Sequence, residues 1–354
     1  MKSLVKGRLL GVVAALLVGG VALAPTPALA QVGRVAPVNV GSGDCDRACL
    51  IDLAEKVIAA MVAHDPSKLP LAKNAKYSEN GVELPIPDGF FYNATKAGTY
   101  RMYVVDPDWG SIGVFAKVEE NHVPSLLTTR LRVYNRQIVE IESIVGKEFR
   151  TRDPNNIQPD VLGDAPRPEF TTIVPPEKRR SREELMKIVN TYFTGIENNV
   201  GKKPPIFSSK CHRLENGAAT SNVPVPPGGQ RSSRNYTCIQ GIANGYHRND
   251  NRLRNRRIMA VDVERQVVLA AVYFDHLNDE RIRTYTANDG TPVRVNDTSP
   301  ATLNIHEAFQ IDEEGISQVE AIMTTVPYGM RPYFSTGFQM DSEQTRIDGF
   351  IEYE

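Results

Sequence analysis

Long apolar runs, tryptophan and an excess of either charge are all scarce in this chain of 354 residues. Past the first thirty residues, no apolar run reaches the ~20 residues that a membrane-spanning helix needs, so stable membrane insertion is not expected. There is one Trp, and aromatic residues make up 7% of the chain. Basic residues number 41 against 42 acidic ones. Three of the basic residues and none of the acids lie in residues 1–30, which leaves 38 against 42, a net charge of −4. That balance gives no footprint for nucleic acid or an anionic membrane surface. The one basic run, Lys178-Arg179-Arg180-Ser181-Arg182, reads as a solvated face where a linker meets a helix. No Gly-rich phosphate loop, Gly-x-Ser-x-Gly elbow or His-Glu-x-x-His motif occurs, so no cofactor is expected.

Cysteine is sparse too: Cys45, Cys49, Cys211 and Cys238. The leader before them reads as a secretory signal. Lys2, Lys6 and Arg8 precede an apolar stretch from Leu9 to Ala24, and Ala28-Leu29-Ala30 forms a small-residue cleavage site. A membrane anchor is the alternative. Secreted or periplasmic cysteines oxidise, so two disulfides are expected, with pairing inside each domain the simplest connectivity. The other possibility is a metal site at Cys45 and Cys49, but no His stands close enough in sequence to complete one.

The tripeptide Glu-Asn-Gly occurs twice, at Glu79-Asn80-Gly81 and Glu215-Asn216-Gly217. Its surroundings repeat in order. An apolar-periodic segment precedes each, from Leu50 to Val62 and from Leu185 to Ile196, with the three-and-four spacing of a half-buried helix. A strand ending in Val-Asp follows each, at Arg101 to Asp106 and Arg257 to Asp262. Apolar strands come next, at Ile112 to Val118 and Val267 to Phe274, then a strand pair closing at Glu142 and at Glu320. The offset between copies grows from 136 at the tripeptide to 156 at Val-Asp and 178 at the last Glu. The second copy therefore carries two insertions of roughly twenty residues, as surface loops do. A helix followed by mostly antiparallel strands, twice over, gives an α+β fold of two domains.

The expected divisions are 1–30 as signal peptide, 31–43 as flexible leader, 44–146 as first domain, 147–180 as a Pro-rich surface linker, 181–335 as second domain and 336–354 as tail. Ser181 and Glu184 have the spacing of a capping box opening the second domain.

Both copies resemble SnoaL-like domains of the nuclear-transport-factor-2-like superfamily. The resemblance rests on the helix ending in Ala63-His64-Asp65-Pro66, on Tyr77-Ser78-Glu79-Asn80-Gly81, and on Cys211-His212-Arg213-Leu214-Glu215-Asn216-Gly217. Tyr273-Phe274-Asp275-His276, Glu307-Ala308-Phe309-Gln310-Ile311 and Pro327-Tyr328-Gly329 extend it. It implies a cone in which a curved antiparallel sheet wraps N-terminal helices around a pocket with a few inward polar groups. The superfamily spans lyases, isomerases, hydrolases and non-catalytic modules, so fold alone does not choose a function.

Chemistry in such a pocket is acid–base chemistry. Ile305, Phe309 and Ile311 share one strand parity with Glu307, which turns Glu307 inward and His306 outward, toward the other domain or solvent. An inward carboxylate is paired, with an Arg such as Arg257, or used. The first copy has Thr129 at the matching position. His212 and Glu215 form a candidate dyad, against a satisfied strand His. Asp275 and His276 end a strand at the expected mouth, against a capping Asp and a solvated His. Asn-Gly reads as a tight turn, which leaves Glu79 and Glu215 as mouth candidates. Tyr77, Tyr100 and Arg101 are candidates for the first pocket, against core packing for the two tyrosines, and Arg257, Tyr273 and Tyr328 for ligand contact in the second. His64-Asp65 reads as a helix end. Asn93, Asn235 and Asn296 begin glycosylation sequons.

The expectation is a secreted, cofactor-free lyase or isomerase acting on a small hydrophobic or aromatic molecule. The alternatives are a secreted small-ligand binder and a structural pseudo-dimer, with intramolecular domain pairing or a homo-oligomer as the assembly. Convergence of the polar candidates in one interior decides among them.

Overall fold

The structure is a computed structural model that describes residues 44–147, 158–159, 161–197, 207–229, 232–247, 250–277, 284–294, 299–334 and 338–339. The expected signal peptide, the leader, nearly all of the tail and the Asn296 sequon lie outside the described residues.

The first lobe opens with α1 (Arg47–Ala63), followed by β1 (Leu71–Glu79), β2 (Val82–Leu84), α2 (Phe90–Asn93), β3 (Ala94–Asp106), β4 (Ser111–Glu120), β5 (Val123–Tyr134) and β6 (Gln137–Lys147). A short α3 (Pro168–Thr171) lies in the connection. The second lobe runs α4 (Arg182–Glu197), β7 (Phe207–Glu215), β8 (Ala218–Ala219), α5 (Cys238–Ala243), β9 (Asp250–Asp262) and β10 (Val267–His276). It continues with β11 (Thr284–Thr286), β12 (Pro292–Arg294), β13 (Ala301–Ile311), β14 (Ile316–Pro327) and β15 (Phe338–Gln339).

Local chemistry sets the helix ends. The Asp46 side chain accepts from Cys49 N at 2.9 Å and starts α1. His64, in the left-handed region at φ 54°, stops it. At α4 the capping box forms: Ser181 N donates to Glu184 Oε2 at 2.8 Å, and Glu184 N donates to Ser181 Oγ at 3.2 Å. Leu50, Leu53, Val57, Ile58 and Met61 bury one stripe of α1, and Leu185, Ile188, Val189, Tyr192, Phe193 and Ile196 one stripe of α4.

The two sheets share one topology. The first is ordered β2-β1-β6-β5-β4-β3 and the second β15-β9-β10-β13-β14-β7-β8. In each, one parallel pairing, β1 with β6 or β7 with β14, sits among antiparallel ones. The registers of the central pairings match residue for residue, β4–β5 with β10–β13 and β5–β6 with β13–β14. Val114, Thr129, Ser143 and Glu79 stand in one row of the first sheet. Ala270, Glu307, Ala321 and Glu215 stand in the same row of the second. The architecture is thus a duplicated α+β fold.

The Asn-Gly pairs are turns, for a reason that composition alone does not give. Asn80 and Gly81 both have positive φ, as do Asn216 and Gly217. Each Asn also ties its turn to the neighbouring strand. Asn80 N donates to Ser143 O, and Asn80 Oδ1 accepts from Val145 N, both at 2.9 Å. Asn216 repeats this with Ala321 O and Met323 N, again at 2.9 Å. Glycine follows because a Cβ at Gly81 would stand 2.5 Å from Tyr273 Oη.

The lobes pack sheet against sheet through Tyr100, Met102, Val104, Phe115, Leu126 and Ile144 on one side and Met259, Leu269, Ala271, Ala308 and Ile322 on the other. The connection joins this core through Leu162 and Phe170, the latter 1% exposed. Most other described residues of the connection are exposed, while Phe170 is apolar enough to be drawn under the lobes. Two crossed ion pairs flank the contact. Arg47, first residue of α1, grips Asp262 at 2.9 and 2.6 Å. Arg182, first residue of α4, grips Asp106 at 2.7 and 2.6 Å. Each Val-Asp carboxylate is thus held by the helix start of the other lobe. At the centre, Thr128 Oγ1 meets His306 Nδ1 at 2.7 Å. These two residues occupy matching positions in the copies, so the pseudo-two-fold relation passes between them. The cysteines pair within lobes, Cys45 with Cys49 and Cys211 with Cys238.

Candidate functional site

β13 turns Glu307 toward α4, on the face that carries Ile305 and Phe309. Its carboxyl is 2% exposed. Tyr192 Oη, from α4, donates to Glu307 Oε1 at 2.9 Å. Oε2 meets no donor among the described residues. Aromatic rings enclose the pair: Phe193, Phe207 and Phe309 lie 5.3, 6.0 and 4.9 Å from the Tyr192 centroid, all edge-on. Burial pushes the carboxyl pKa up to about 7. Arg213 and the Tyr192 hydrogen bond oppose that rise, while Glu215 and Asp250 add to it. Burial also holds the Tyr192 hydroxyl well above its ordinary pKa.

Beside this acid runs a chain of charge. Arg213 shares its strand face with Cys211 and Glu215, and its guanidinium lies 5.7 Å from the Tyr192 ring centroid. Arg213 Nη2 donates to Glu215 Oε1 at 2.7 Å. Nη1 lies 3.3 Å from His247 Nε2. His247 Nδ1 lies 2.8 Å from Asp250 Oδ2, and His276 Nε2 lies 2.5 Å from Asp250 Oδ1. Asp250 is buried, and its pKa falls below the ordinary range because the two imidazoles outweigh the burial that opposes its charge.

The first lobe holds a different interior. Thr129 Oγ1 and Ser143 Oγ pair at 3.0 Å. Tyr77 Oη and Phe90 N both donate to Glu79 Oε2, at 2.7 and 2.6 Å. The turn of α2 brings Phe90 and Phe91 into this core, with Phe91 edge-on to Tyr77 at 5.3 Å. Glu79 is held by local donors, and the row position of Glu307 is a hydroxyl.

A family described as a domain of unknown function, DUF8021, matches residues 44–145 and 178–323. The chain belongs to the DUF8021 family. The two matched segments coincide closely with the two lobes, so the family's definition already spans the duplication. No curated protein matches this DUF8021 chain. Among solved structures, a de novo designed protein with a curved β-sheet aligns at 16% identity over 30% of this chain and 91% of its own, with a TM-score of 0.25. That likeness is too slight to carry an argument.

The structure of this DUF8021 protein sorts the sequence candidates. Glu307 and Glu215 stand in one inward row, and His276 joins them through Asp250, His247 and Arg213. His212 does not: it is exposed, with Nδ1 3.2 Å from Asn222 Nδ2. Strand alternation sends it away from Arg213 and Glu215, so no His212–Glu215 dyad forms. Asp275 is neither a cap nor a site group. It is buried on the sheet's other face and accepts from Arg252, Arg254 and Thr302. Arg257 does not pair with Glu307. It reaches Glu142 at 2.5 Å across the lobe contact, and Arg130 holds the same carboxylate at 2.8 Å. Outward parity does this, as it does for His306. Tyr273 packs under the Gly81 turn and the Arg254 guanidinium. Tyr328 is 41% exposed past the end of β14. Tyr77 and Tyr100 are core residues, and Tyr100 Oη donates to Glu320 at 2.7 Å. Arg101 bonds Glu55 at 2.8 Å beside an open groove of about 460 Å³ between α1 and β3, away from Glu307.

Tyr192, Arg213, His247 and Asp250 are the groups that sequence reasoning missed. Arg213 was within reach, since it alternates with Cys211 and Glu215 on the inward face. His247 and Asp250 were not, because the insertion carrying them is brought back to β7 by the Cys211–Cys238 disulfide.

Proposed function

We propose that the two lobes are SnoaL-like cones and that the second works as a secreted, cofactor-independent lyase or isomerase on a small hydrophobic or aromatic molecule. The observation that carries this reading is Glu307, a buried carboxyl with a pKa of about 7 among aromatic rings, one of whose oxygens meets no donor among the described residues. A group that changes charge near the working pH is what proton transfer needs. Glu307 would pass the proton, Tyr192 would fix the carboxyl's orientation, and the aromatic rings would exclude water and hold the ligand. The two disulfides suit an oxidising compartment.

One observation favours a second reading. The rings of Phe193, Phe207 and Phe309 pack against Tyr192 and Glu307 is 2% exposed, as in a structural pseudo-dimer without a ligand. The test is mass spectrometry of small molecules that co-purify with the secreted protein, followed by turnover assays of whatever is found. Conversion of that molecule by the wild type and its loss in Glu307→Gln supports the acid–base reading. Absence of any bound molecule, together with no thermal stabilisation by a panel of small aromatic compounds, supports the structural one.

A further inference from the structure

An isolated Arg213 would be the natural ion-pair partner of Glu307, because both are buried in one interior and oppositely charged in their ordinary states. The structure turns it elsewhere. One nitrogen of the guanidinium is taken by Glu215 and another faces His247 Nε2. An arginine N–H can only donate, so Nε2 carries the lone pair. The proton of His247 then sits on Nδ1 and points to Asp250 Oδ2. His247 thereby bridges the two, with an acceptor toward Arg213 and a donor toward Asp250. His276 closes the far side of Asp250.

We propose that Asp250, acting through the imidazole of His247, is a positioning residue that holds Arg213 toward Glu215 and over the Tyr192 ring, so that Arg213 leaves Glu307 unpaired as the acid of the site. The inference rests on the proposed role of Glu307. The charged and titratable groups facing Glu307 are Tyr192, Arg213, Glu215 and Asp250, with His247 and His276 behind them. Replacing His247 breaks the link and leaves the charges of Arg213, Glu215 and Asp250 in place.

The experiment is a carbon-13 NMR titration of Glu side chains in the full secreted protein, with Glu307→Gln identifying the Glu307 resonance. The wild type should titrate near pH 7. In His247→Phe, which keeps the ring's volume, the released guanidinium should swing toward Glu307 and lower the midpoint by about one unit or more. His247→Gln, whose amide accepts at one end and donates at the other, should keep the wild-type midpoint. His247→Leu, which also lacks a ring nitrogen, should lower it as well, and it serves as the second variant if His247→Phe does not fold. A midpoint unchanged in folded His247→Phe, as judged by circular dichroism, overturns the inference, and so does an unchanged midpoint in folded His247→Leu. The titration needs no substrate. Failure to find a ligand or turnover would count against the proposed function alone, and an unmoved midpoint against the positioning role alone.

Discussion

Tyr192 and Glu307 meet across 2.9 Å, one from a helix and one from the middle of a strand, and both side chains are out of solvent. A single neutral hydrogen bond offsets only part of the cost of burying a carboxyl. The group responds by keeping its proton to about pH 7. The matching row of the first lobe shows the cheaper solution, a Thr129–Ser143 hydroxyl pair. The second lobe carries a buried acid where the first has a hydroxyl pair.

That cost is measurable. The folded carboxyl sits at about 7 against an ordinary 4.5. Between those values the folded chain keeps a proton that the unfolded chain has released, so stability falls as pH rises. Above 7 the loss is complete, at about 3 kcal/mol. Glu307→Gln should therefore unfold in urea at higher concentration than the wild type at pH 8 and at nearly the same concentration at pH 4.

The crossed ion pairs at the lobe contact should behave as a matched set. Asp106 and Asp262 are fully buried and each depends on an Arg from the other lobe. Removing the Arg strands a buried carboxylate, which costs about 3–5 kcal/mol. Arg47→Ala and Arg182→Ala should each lower the unfolding midpoint by amounts of that order, read by calorimetry. Breaking an exposed pair such as Lys178–Glu313 should leave the midpoint nearly unchanged.

His306 supplies an opposite pH dependence. Burial holds its pKa below 6.5, and Glu142 only partly counters this. The unfolded chain therefore binds a proton that the folded chain refuses, and stability falls as pH drops below 6.5. Glu142 adds a further acid loss below 4.5, because Arg257 and Arg130 outweigh burial and keep it ionised in the fold. His306→Gln, still able to bond Thr128, should lose the first step and retain the second. Glu307 acts in the opposite direction over the same window, so each step is read as the difference between variant and wild type.

The disulfides should differ in worth. Cys211 and Cys238 close 27 residues of sequence separation, and Cys45 and Cys49 only 4. Chain-entropy arguments give about 3.5 kcal/mol for the first and about 2 kcal/mol for the second. The Cys211→Ala, Cys238→Ala double variant should also loosen the return of His247 to Arg213, and so lower the Glu307 titration midpoint.

Much of the fold was legible because duplication prints itself twice. The Glu-Asn-Gly turns, the Val-Asp strand ends and the apolar parity around Glu307 all predicted positions that the sheets then occupy. Parity also sent His306 to the other lobe. The site was less legible because its members meet through long side chains and an insertion. Alternation places Arg213 on the inward face, yet nothing local says that it will reach His247, 34 residues later. His212 and Asp275 looked chemical by residue type, but they fall on faces where solvent or paired arginines take them. Phe170 was hidden by the Pro-rich sequence around it, which reads as linker although one aromatic ring is enough to anchor it.

The account stands most directly on the turnover of a co-purified molecule by wild type and Glu307→Gln, with Thr129→Val as the control from the matching position of the other lobe. The predicted result is a loss of about 100-fold or more in Glu307→Gln, the scale of a missing proton donor or acceptor, and unchanged rates in Thr129→Val. Equal turnover by wild type and Glu307→Gln would contradict it.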